Sequence, residues 1–266
     1  MNAQLKPSTA ELNGRLWGER ARDWADLMES MMRPLYTTVF DRVGLVAGSR
    51  YLDVGCGAGL AAQLARQRGA TVCGIDAADA LLEIARVRSP QADFRCGDLE
   101  NLPYGDGQFD LVSGFNSFQY AGNPVVALGA ARRVTQAEGR VLIVTWGEPE
   151  HMEAASLIAA LKPLMPTPPP GAPGPFALSD EKALRAFASQ AGLRPGEVID
   201  VPTPWRFATL ALALRGLKSS GVAARAIEHS GEPALDEAHQ RALEPFRRAD
   251  GTYQIQASFR CLVAAP

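Results

Sequence analysis

Short apolar runs alternate along the chain with longer stretches whose apolar residues recur every three or four positions. Apolar runs bounded by Gly, Pro or Asp are typical of buried strands, and the longer spacing is typical of amphipathic helices. Their alternation predicts an α/β fold, in which a mostly parallel seven-stranded sheet carries helices on both faces. The predicted strands are 51–54, 71–76, 93–96, 109–113, 139–146, 197–201 and 253–264. The helices predicted between the first five strands are 60–67, 80–88 and 124–134.

The stretches outside this alternation predict how the chain is organised. Two helices precede the first strand, and a second helical group lies between the sixth and the final strand, where it would cover the strand ends as a lid. The other predictions are a helix at 152–164, a Pro-rich extended loop at 166–175, a helix from 182 to 191 capped by Ser179, and lid helices at 207–219, 223–229 and 235–246. The expected division is 1–46 for N-terminal helices that cover the ligand site, 47–147 for the ligand-binding core, 148–204 for the Pro-rich connection, a helix and the sixth strand, 205–249 for the lid, and 250–266 for the final strand.

A glycine-rich turn follows the first predicted strand and leads directly into a helix. Asp53 is followed by Gly55, Gly57 and Gly59 at alternate positions. Glycine leaves no Cβ along one side of the turn, so a ligand can lie against the backbone, and the N–H groups of the following helix suit a carboxylate or phosphate. Dinucleotide-binding turns place a third glycine one position later, where this chain has Leu60. The acid before the turn favours a ligand with an amino group.

Two further acids follow predicted strands. Asp76 ends the second strand, where it can accept hydrogen bonds from both hydroxyls of a ribose, because ligands of such sheets lie across the carboxyl ends of the strands. Asp98 follows the third strand, where its carboxylate can accept from an adenine amino group while the backbone N–H of Leu99 donates to the ring. The pattern therefore predicts an adenosine site.

With these acids, the turn resembles motif I of the class I S-adenosylmethionine (SAM)-dependent methyltransferases, an acidic residue followed by G-x-G-x-G. The resemblance is greatest to the ubiquinone and menaquinone biosynthesis group and covers residues 50–146. It implies a Rossmann-like sheet with an antiparallel last strand, SAM as cofactor, S-adenosyl-L-homocysteine as product and no metal. The expected cofactor residues are Tyr36, Asp53, Gly55, Cys56, Gly57, Gly59, Leu60, Asp76, Ala77, Leu81, Asp98, Leu99, Phe115 and Asn116.

Candidate acceptor residues follow the fourth strand. Asn116, Gln119 and Tyr120 are expected to orient the acceptor, with Phe115 in the pocket wall. His229 is the preferred candidate for a general base, at the end of a lid helix near the pocket mouth, and His239 is expected to be solvated in a polar helix. A base is optional, because methyl transfer from a sulfonium depends mainly on alignment.

Composition narrows the class of partner. The 266 residues are 47% hydrophobic and carry a net charge of −2, which disfavours nucleic acid and allows one large core. No apolar run reaches the length of a membrane span or a signal peptide, and the four scattered cysteines are typical of reduced thiols, so we expect a cytoplasmic protein. The apolar lid favours a small aromatic or isoprenoid-like acceptor.

Three other functions fit parts of this pattern. An NAD-dependent oxidoreductase shares Asp76 but is disfavoured by Leu60 and by the additional acid Asp98. A SAM-binding module without turnover shares every cofactor residue and differs in lacking an acceptor pocket. Nucleic-acid methyltransferases that act on exocyclic amines share an Asn or Asp followed by Pro-Pro and an aromatic residue, where this chain has the sequence NSFQ at 116–119.

Overall fold

The computed structural model describes residues 9–168 and 174–266. The helices are α1 (Thr9–Gly18), α2 (Ala21–Asp23), α3 (Arg33–Val43), α4 (Leu60–Gln67), α5 (Asp79–Arg88), α6 (Pro124–Val134), α7 (Ala154–Ala159), α8 (Glu181–Gln190), α9 (Leu210–Lys218), α10 (Gly221–Ser230) and α11 (Glu232–Leu243). The strands are β1 (Arg50–Val54), β2 (Thr71–Asp76), β3 (Asp93–Cys96), β4 (Phe109–Phe115), β5 (Thr135–Trp146), β6 (Arg194–Pro202), β7 (Trp205–Phe207), β8 (Tyr253–Ile255) and β9 (Ser258–Ala265).

The main sheet has seven strands in the order β3-β2-β1-β4-β5-β9-β6. Strands β1 to β5 are parallel to one another, and β9 is antiparallel to both β5 and β6. The predicted sheet and its antiparallel last strand are confirmed. The strand order reverses between β1 and β4, and such a reversal opens a crevice at the carboxyl ends of the strands. That crevice is where the candidate site lies.

Hydrophobic cores lie on both faces of the sheet, as β5 shows. Val141 and Ile143 belong to one buried cluster with Leu128 of α6, whereas Leu142 and Val144 belong to another. Successive side chains of a strand point to opposite faces, so a strand covered on both sides must be apolar at every position. Each of these β5 side chains is at most 1% exposed. Burying a side chain of this size stabilises the fold by about 1.5–3 kcal/mol.

The final strand is divided, contrary to the sequence prediction of one strand at 253–264. Strand β8 pairs with β7 in a separate two-stranded sheet, and β9 joins the main sheet. At the break, Gln256 N–H donates to the Glu153 carboxylate (2.7 Å), and Ala257 C=O accepts from Thr203 N–H (2.8 Å). These are tertiary bonds, and the alternation of buried and exposed residues continues through the break, so the local pattern could not reveal it.

Several helix boundaries also differ from prediction. The predicted helix 152–164 is shorter, because α7 ends at Ala159 and a separate 3₁₀ turn, Lys162–Leu164, contains Pro163, which has no N–H to donate. Helix α8 is capped by Asp180, whose carboxylate accepts from Ala183 N–H (2.8 Å), and not by Ser179. Of the predicted Pro-rich loop, residues 169–173 lie outside the described residues, as do residues 1–8 of the N-terminal segment.

The N-terminal region has more elements than the two helices predicted. Between α2 and α3 the backbone forms a π-helical turn, Trp24–Met28, and a 3₁₀ turn, Glu29–Met32. In the lid region the helices begin at residues 210, 221 and 232, where Thr209 and Ser220 cap the first two through their hydroxyls. Within the described ranges, no helix combines the length and apolarity that crossing a membrane requires.

Candidate functional site

A cleft of about 760 Å³ lies at the strand-order reversal. Its floor is the carboxyl ends of β1, β2 and β4, and α1 covers one side. The covering helix approaches closely, because a Cβ at Gly14 would lie 2.3 Å from the Ala77 carbonyl oxygen. The cleft is lined by Ala10, Asn13, Trp17, Trp24, Gly55, Gly57, Asp76, Ala77, Leu81, Asp98, Leu99, Phe115, Asn116, Ser117, Tyr120, Ala121 and Gly122.

The glycine-rich turn presents bare backbone to this cleft. Gly55 and Gly57 have φ of +75° and +54°, in the left-handed region that favours glycine. A Cβ at Gly55 would lie 2.4 Å from the Cβ of Ser117, whose hydroxyl donates to the Val54 carbonyl (2.6 Å). Both the conformation and the close approach of the segment after β4 therefore require glycine at position 55.

Asp76 lies at the end of β2, as predicted, and its carboxylate is fixed by the backbone. One oxygen accepts from Gly57 N–H and the other from Ala78 N–H, each at 2.9 Å. A carboxylate has about four acceptor positions, so positions remain for hydroxyls of a ligand. Burial raises the pKa of Asp76, and the backbone N–H groups oppose that rise.

Asp98 both closes a turn and lines the cleft. Its Oδ1 accepts from Glu100 N–H (2.9 Å), which fixes the backbone that follows β3. Leu99 lies beside it in the cleft wall. The structure therefore brings Asp76, Asp98 and the glycine turn to one cleft. Contact of each with a cofactor stays a prediction.

Asp53 lies beneath the cleft and not in its wall. It is 1% exposed, and its Oδ1 accepts from the Ser113 hydroxyl (3.0 Å), which lies 2.5 Å from the Tyr51 hydroxyl. Burial raises the pKa of Asp53 to about 7; the two hydroxyls oppose this rise, and the carboxylates of Glu29 and Asp76 add to it. The side chain that was expected to point at the ligand's amino group lies instead beneath the turn, bonded to Ser113.

Glu29 is a residue of this site that the sequence analysis missed. Its Oε1 accepts from Leu60 N–H (3.3 Å) at the start of α4, and its Oε2 is paired with Arg88. Burial raises the pKa of Glu29, and Arg88 opposes the rise. The expectation that this helix end is free for a ligand carboxylate is corrected, because the protein's own carboxylate occupies it. No local pattern marked Glu29, because its partners Leu60 and Arg88 are 31 and 59 residues away in the sequence.

Three other predicted cofactor residues do not line the cleft. Gly59 packs against α5, because a Cβ there would lie 2.7 Å from the Cβ of Ala85. Cys56 and Leu60 are buried at 5% and 4% exposure. Their roles are in the packing beneath the turn, and direct side-chain contact with a cofactor is not supported by their placement.

A second cavity, of about 940 Å³, adjoins the cleft and is called the acceptor chamber below. Its walls are mostly apolar and come from both ends of the chain. The lining residues are Trp17, Trp24, Met28, Met32, Leu35, Tyr36, Phe115, Asn116, Tyr120, Trp146, Leu157, Ile158, Leu161, Pro175, Trp205, Leu217, Ser220, Val222, His239 and Phe259. Tyr36, predicted to face the cofactor, lies in this chamber, edge-on to Phe115 at a centroid distance of 4.7 Å.

The two cavities share a wall made of Trp17, Trp24, Phe115, Asn116 and Tyr120. Asn116 has φ +55°, the only positive φ among non-glycine residues in the described ranges. Asparagine tolerates this conformation better than most residues, and here it aims the side chain at the junction. Burial raises the pKa of Tyr120 to about 12, opposed by a hydrogen bond with Asn116.

The other residues predicted to act on the acceptor lie in places that differ from those expected. Gln119 lines neither cavity and donates to the Asn116 side-chain carbonyl. His229 lies at the end of α10, as predicted, but its ring is exposed, lines neither cavity and lies 3.1 Å from the Ser230 hydroxyl. His239, expected to be solvated, is 2% exposed and lines the acceptor chamber. The spacing of Leu235, His239 and Leu243 places them on one helix face, and it could have predicted that His239 is buried.

No group of three or more His, Cys, Asp or Glu side chains within residues 9–168 and 174–266 is arranged to hold a metal ion. All four cysteines are free thiols.

Comparison with known proteins identifies the core. Residues 52–143 match the family described as methyltransferase domain. Demethylmenaquinone methyltransferase of Renibacterium salmoninarum is 32% identical over 111 residues, which are 42% of this chain and 47% of the relative. Ubiquinone biosynthesis O-methyltransferase of Pseudomonas aeruginosa is 30% identical over 134 residues, 48% of this chain and 57% of the relative. The chain thus spans about half the length of these curated relatives.

A longer match and two solved structures extend the similarity beyond the core. Ubiquinone biosynthesis O-methyltransferase of Dechloromonas aromatica is 28% identical over 205 residues, 73% of this chain and 87% of the relative. The 4+2 cyclase SpnF superposes with a TM-score of 0.59 at 20% identity, covering 97% of each chain. A SAM-dependent methyltransferase from Aquifex aeolicus has a TM-score of 0.52 at 15% identity, covering 87% of this chain and 89% of its own. These two structures show the fold alone.

Proposed function

We propose that this chain, whose core is a class I SAM-dependent methyltransferase domain resembling the ubiquinone and menaquinone group, transfers a methyl group from SAM to a small apolar acceptor. The observation that carries the proposal is the shared wall, at which a cleft that contains two carboxylates meets an apolar chamber beside Phe115 and Asn116. In-line displacement needs donor and acceptor at such a junction. A SAM-binding module without turnover would have no use for the chamber.

We propose that SAM occupies the cleft. The backbone of Gly55 and Gly57 would receive the amino-acid part, the remaining acceptor positions of Asp76 would receive the ribose hydroxyls, and Asp98 with Leu99 would hold the adenine. Among the buried carboxyls beside the turn, Glu29 is paired with Arg88, whereas Asp53 and Asp76 have no cationic partner in the part of the chain that the structure describes. A cationic ligand would relieve that imbalance, and SAM is cationic at its sulfonium.

When bound, SAM supplies an electrophilic methyl group with a good leaving group. The protein's part is then to align the acceptor and to exclude water, which can account for roughly 7–11 kcal/mol of a barrier in favourable cases. Asn116 and Tyr120 stand at the junction to orient the acceptor, and the aromatic rings of Trp17, Trp24 and Phe115 close it against solvent. No general base is required for this arrangement to work.

The acceptor that we propose is an aromatic or isoprenoid-like small molecule. Among residues 9–168 and 174–266, no Asp, Glu, Lys or Arg lines the chamber, so a charged acceptor would lose hydration without gaining an ion pair from them. The curated relatives are named for menaquinone and ubiquinone biosynthesis, which supports a molecule of this kind. The free thiols support a reducing compartment such as the cytoplasm.

Calorimetric titration with SAM and S-adenosyl-L-homocysteine tests cofactor binding, with Asp76→Ala as the informative variant. Loss of hydrogen bonds to a charged group should weaken binding by about 1.5–3 kcal/mol, roughly ten- to a hundredfold. Asp93→Ala is the matched control, since Asp93 is exposed on the neighbouring strand and pairs with Arg95. An unchanged dissociation constant for Asp76→Ala would place the ribose elsewhere, and no binding to the folded wild type would refute the proposal.

Methyl transfer itself is tested by mass spectrometry. The protein is incubated with SAM carrying a deuterated methyl group and with small aromatic and isoprenoid acceptors, and products are searched for the labelled methyl. A structural neighbour is named a cyclase, so a product without added mass is the outcome that would replace methyl transfer by another reaction of this fold.

A further inference from the structure

A buried ion pair joins the glycine-rich turn to residues 24–32, which connect α2 to α3 and are called the linking segment below. Its members are Glu29, in the linking segment, and Arg88, the last residue of α5. Glu29 is 2% exposed, so its charge lies in the interior. An apolar pair of similar volume is often as stabilising as a buried ion pair. The presence of this pair beneath the candidate site therefore calls for an explanation other than packing.

The two side chains of the pair bind the backbone of both segments. Glu29 Oε1 accepts from Leu60 N–H (3.3 Å) at the start of α4. The Arg88 guanidinium donates to the carbonyl oxygen of Ala58 (2.9 Å) in the glycine-rich turn and to that of Ala25 (3.2 Å) in the linking segment. The pair thus fixes the end of the turn and the linking segment relative to each other.

The two halves of the glycine-rich turn are held in different ways. In the first half, the N–H groups of Gly55 and Cys56 both donate to the Ile75 carbonyl of β2 (2.8 and 3.0 Å). In the second half, the Ala58 carbonyl and the Leu60 N–H are bonded by the ion pair. A glycine-rich turn is flexible unless it is held, and a segment held in its binding conformation loses less entropy when a ligand binds. The pair therefore preorganises the second half of the turn.

The linking segment also contacts the turn at Gly57. A Cβ at Gly57 would lie 3.5 Å from Glu29 Oε1 and 3.6 Å from Trp24 Nε1. Gly57 and Trp24 line the cleft, whereas neither Glu29 nor Arg88 is among its lining residues. The pair therefore acts on the cleft through the backbone that it holds, and not by contact with a ligand.

Building on the proposed function, we infer that Glu29 and Arg88 are positioning residues for the cofactor, which hold residues 57–60 in the conformation that receives the amino-acid part of SAM. The adenosine part is assigned to Asp76 and Asp98, which follow other strands and are not bonded to the pair. Loss of the pair should therefore weaken binding of the amino-acid part and spare that of the adenosine.

Calorimetric titration with two ligands tests this inference. S-adenosyl-L-homocysteine has the amino-acid part, and 5′-methylthioadenosine has the same adenosine and sulfur without it. Glu29→Gln removes the charge with little change of shape. It should weaken binding of S-adenosyl-L-homocysteine roughly tenfold or more, as the loss of a hydrogen bond to a charged group does, and leave binding of 5′-methylthioadenosine within about twofold. An equal loss for both ligands, or no loss for either, would overturn the inference.

Arg88→Lys is the second variant. Lysine keeps the charge beside Glu29, but its single ammonium group cannot reproduce the planar fork that bonds two carbonyl oxygens and a carboxylate. It should weaken S-adenosyl-L-homocysteine selectively as well, by a smaller factor than Glu29→Gln. The Tm is measured for each variant, and a lowered Tm with an unchanged ratio of the two affinities would show a structural role only. If Glu29→Gln does not fold, Arg88→Lys decides.

Asp200→Asn is the matched control. It removes a carboxylate that pairs with Arg260 (2.7 Å), an arginine that is 7% exposed and lies on β9, away from the turn. It should lower the Tm and leave the ratio of the two affinities unchanged.

The wild-type protein separates failure of this inference from failure of the proposed function. Wild-type protein that binds neither ligand would refute the proposed function. Wild-type protein that binds 5′-methylthioadenosine at least as tightly as S-adenosyl-L-homocysteine would refute this inference alone, because the turn would then not hold the amino-acid part.

Discussion

The cofactor cleft and the acceptor chamber share a wall but are built in different ways. The cleft takes most of its lining from residues 55–122, where each functional group follows directly from the end of a strand. The chamber takes its lining from residues 17–36, 115–120, 146–175 and 205–259. The cleft depends on backbone conformation and on carboxylates, whereas the chamber depends on apolar side chains from distant elements.

This difference shows how strongly each cavity constrains the residues that line it. A glycine turn against a neighbouring strand accepts no Cβ, so the cleft depends on particular residues. An apolar wall needs only side chains of suitable size and shape, because apolar packing is not directional. The cleft should therefore be sensitive to small changes, and the chamber should tolerate changes that leave the cofactor in place.

The largest effect is expected from Gly55→Ala. The left-handed φ of +75° costs a residue with a Cβ about 1–2 kcal/mol, and overlap with Ser117 at 2.4 Å adds about 1–3 kcal/mol of overpacking. Urea unfolding should show the summed loss, and calorimetry should show loss of S-adenosyl-L-homocysteine binding. Gly251→Ala is the control, since Gly251 has φ +85° with nothing within 4 Å of the added Cβ. Equal losses of stability at the two positions would show that the contact between Gly55 and Ser117 does not matter.

A second test compares the two regions through pH. The pKa of Asp53 is raised to about 7 from an ordinary value of 3.8, so its stabilising contribution is complete below pH 3.8 and is lost as the pH rises through about 7. Burial lowers the pKa of His239 to about 4 from 6.5, so its contribution is present above pH 6.5 and is lost as the pH falls through about 4. Between about pH 4 and pH 6.5, a rise in pH therefore lowers the contribution of Asp53 to folding stability and raises that of His239.

Asp53→Asn should therefore stabilise the free protein at pH 8, by up to about 4 kcal/mol, and leave its stability at pH 4 nearly unchanged. Asparagine keeps an acceptor for the Ser113 hydroxyl, so the packing is preserved. The variant should also bind SAM more weakly, because the buried charge is lost. Urea unfolding at the two pH values measures the effect, with the exposed Asp93→Asn as control. A variant that is less stable than wild type at pH 8 would show that the carboxylate is stabilising in the free protein.

The smallest effect on the cofactor is expected from Ile158→Trp, which fills the chamber from α7. Binding of a small aromatic probe such as β-naphthol should fall at least tenfold, whereas the dissociation constant of S-adenosyl-L-homocysteine should change by less than twofold, because Ile158 lines only the chamber. Ala159→Trp, on the exposed side of the same helix, should change neither. A parallel loss of cofactor affinity in Ile158→Trp would show that the two cavities do not act separately.

Most of the sheet could be predicted from the sequence because its signals are local. Apolar runs and glycine turns at 51–60, 71–76 and 109–113 place β1, β2 and β4 without reference to the rest of the chain. The break between β8 and β9 could not be predicted, since it is made by hydrogen bonds to Glu153 and Thr203. Those partners are distant in sequence, and the local alternation is the same on both sides of the break.

The residues of the site likewise divide into those that the sequence revealed and those that it did not. Gly55, Gly57, Asp76 and Asp98 were found from their positions after strands, and all four line the cleft. Glu29 was missed because a buried carboxylate in a helix becomes meaningful only when its partner, Arg88, is known. His229 was preferred to His239 as the candidate base, although His239 is the histidine that lines the chamber. Helix ends and helix faces are hard to distinguish in a short amphipathic segment.

The sequence by itself determined the order of strands and helices, the glycine turn and the acids at the strand ends, because backbone conformation and strand polarity are properties of short segments. Only the tertiary structure decided that Asp53 lies beneath the cleft, that Glu29 closes the start of α4, and that His239 faces the chamber. Burial and charge pairing depend on what packs against a side chain. In this protein such neighbours lie far along the chain: Leu60 and Arg88 are 31 and 59 residues from Glu29, and Ser113 is 60 residues from Asp53.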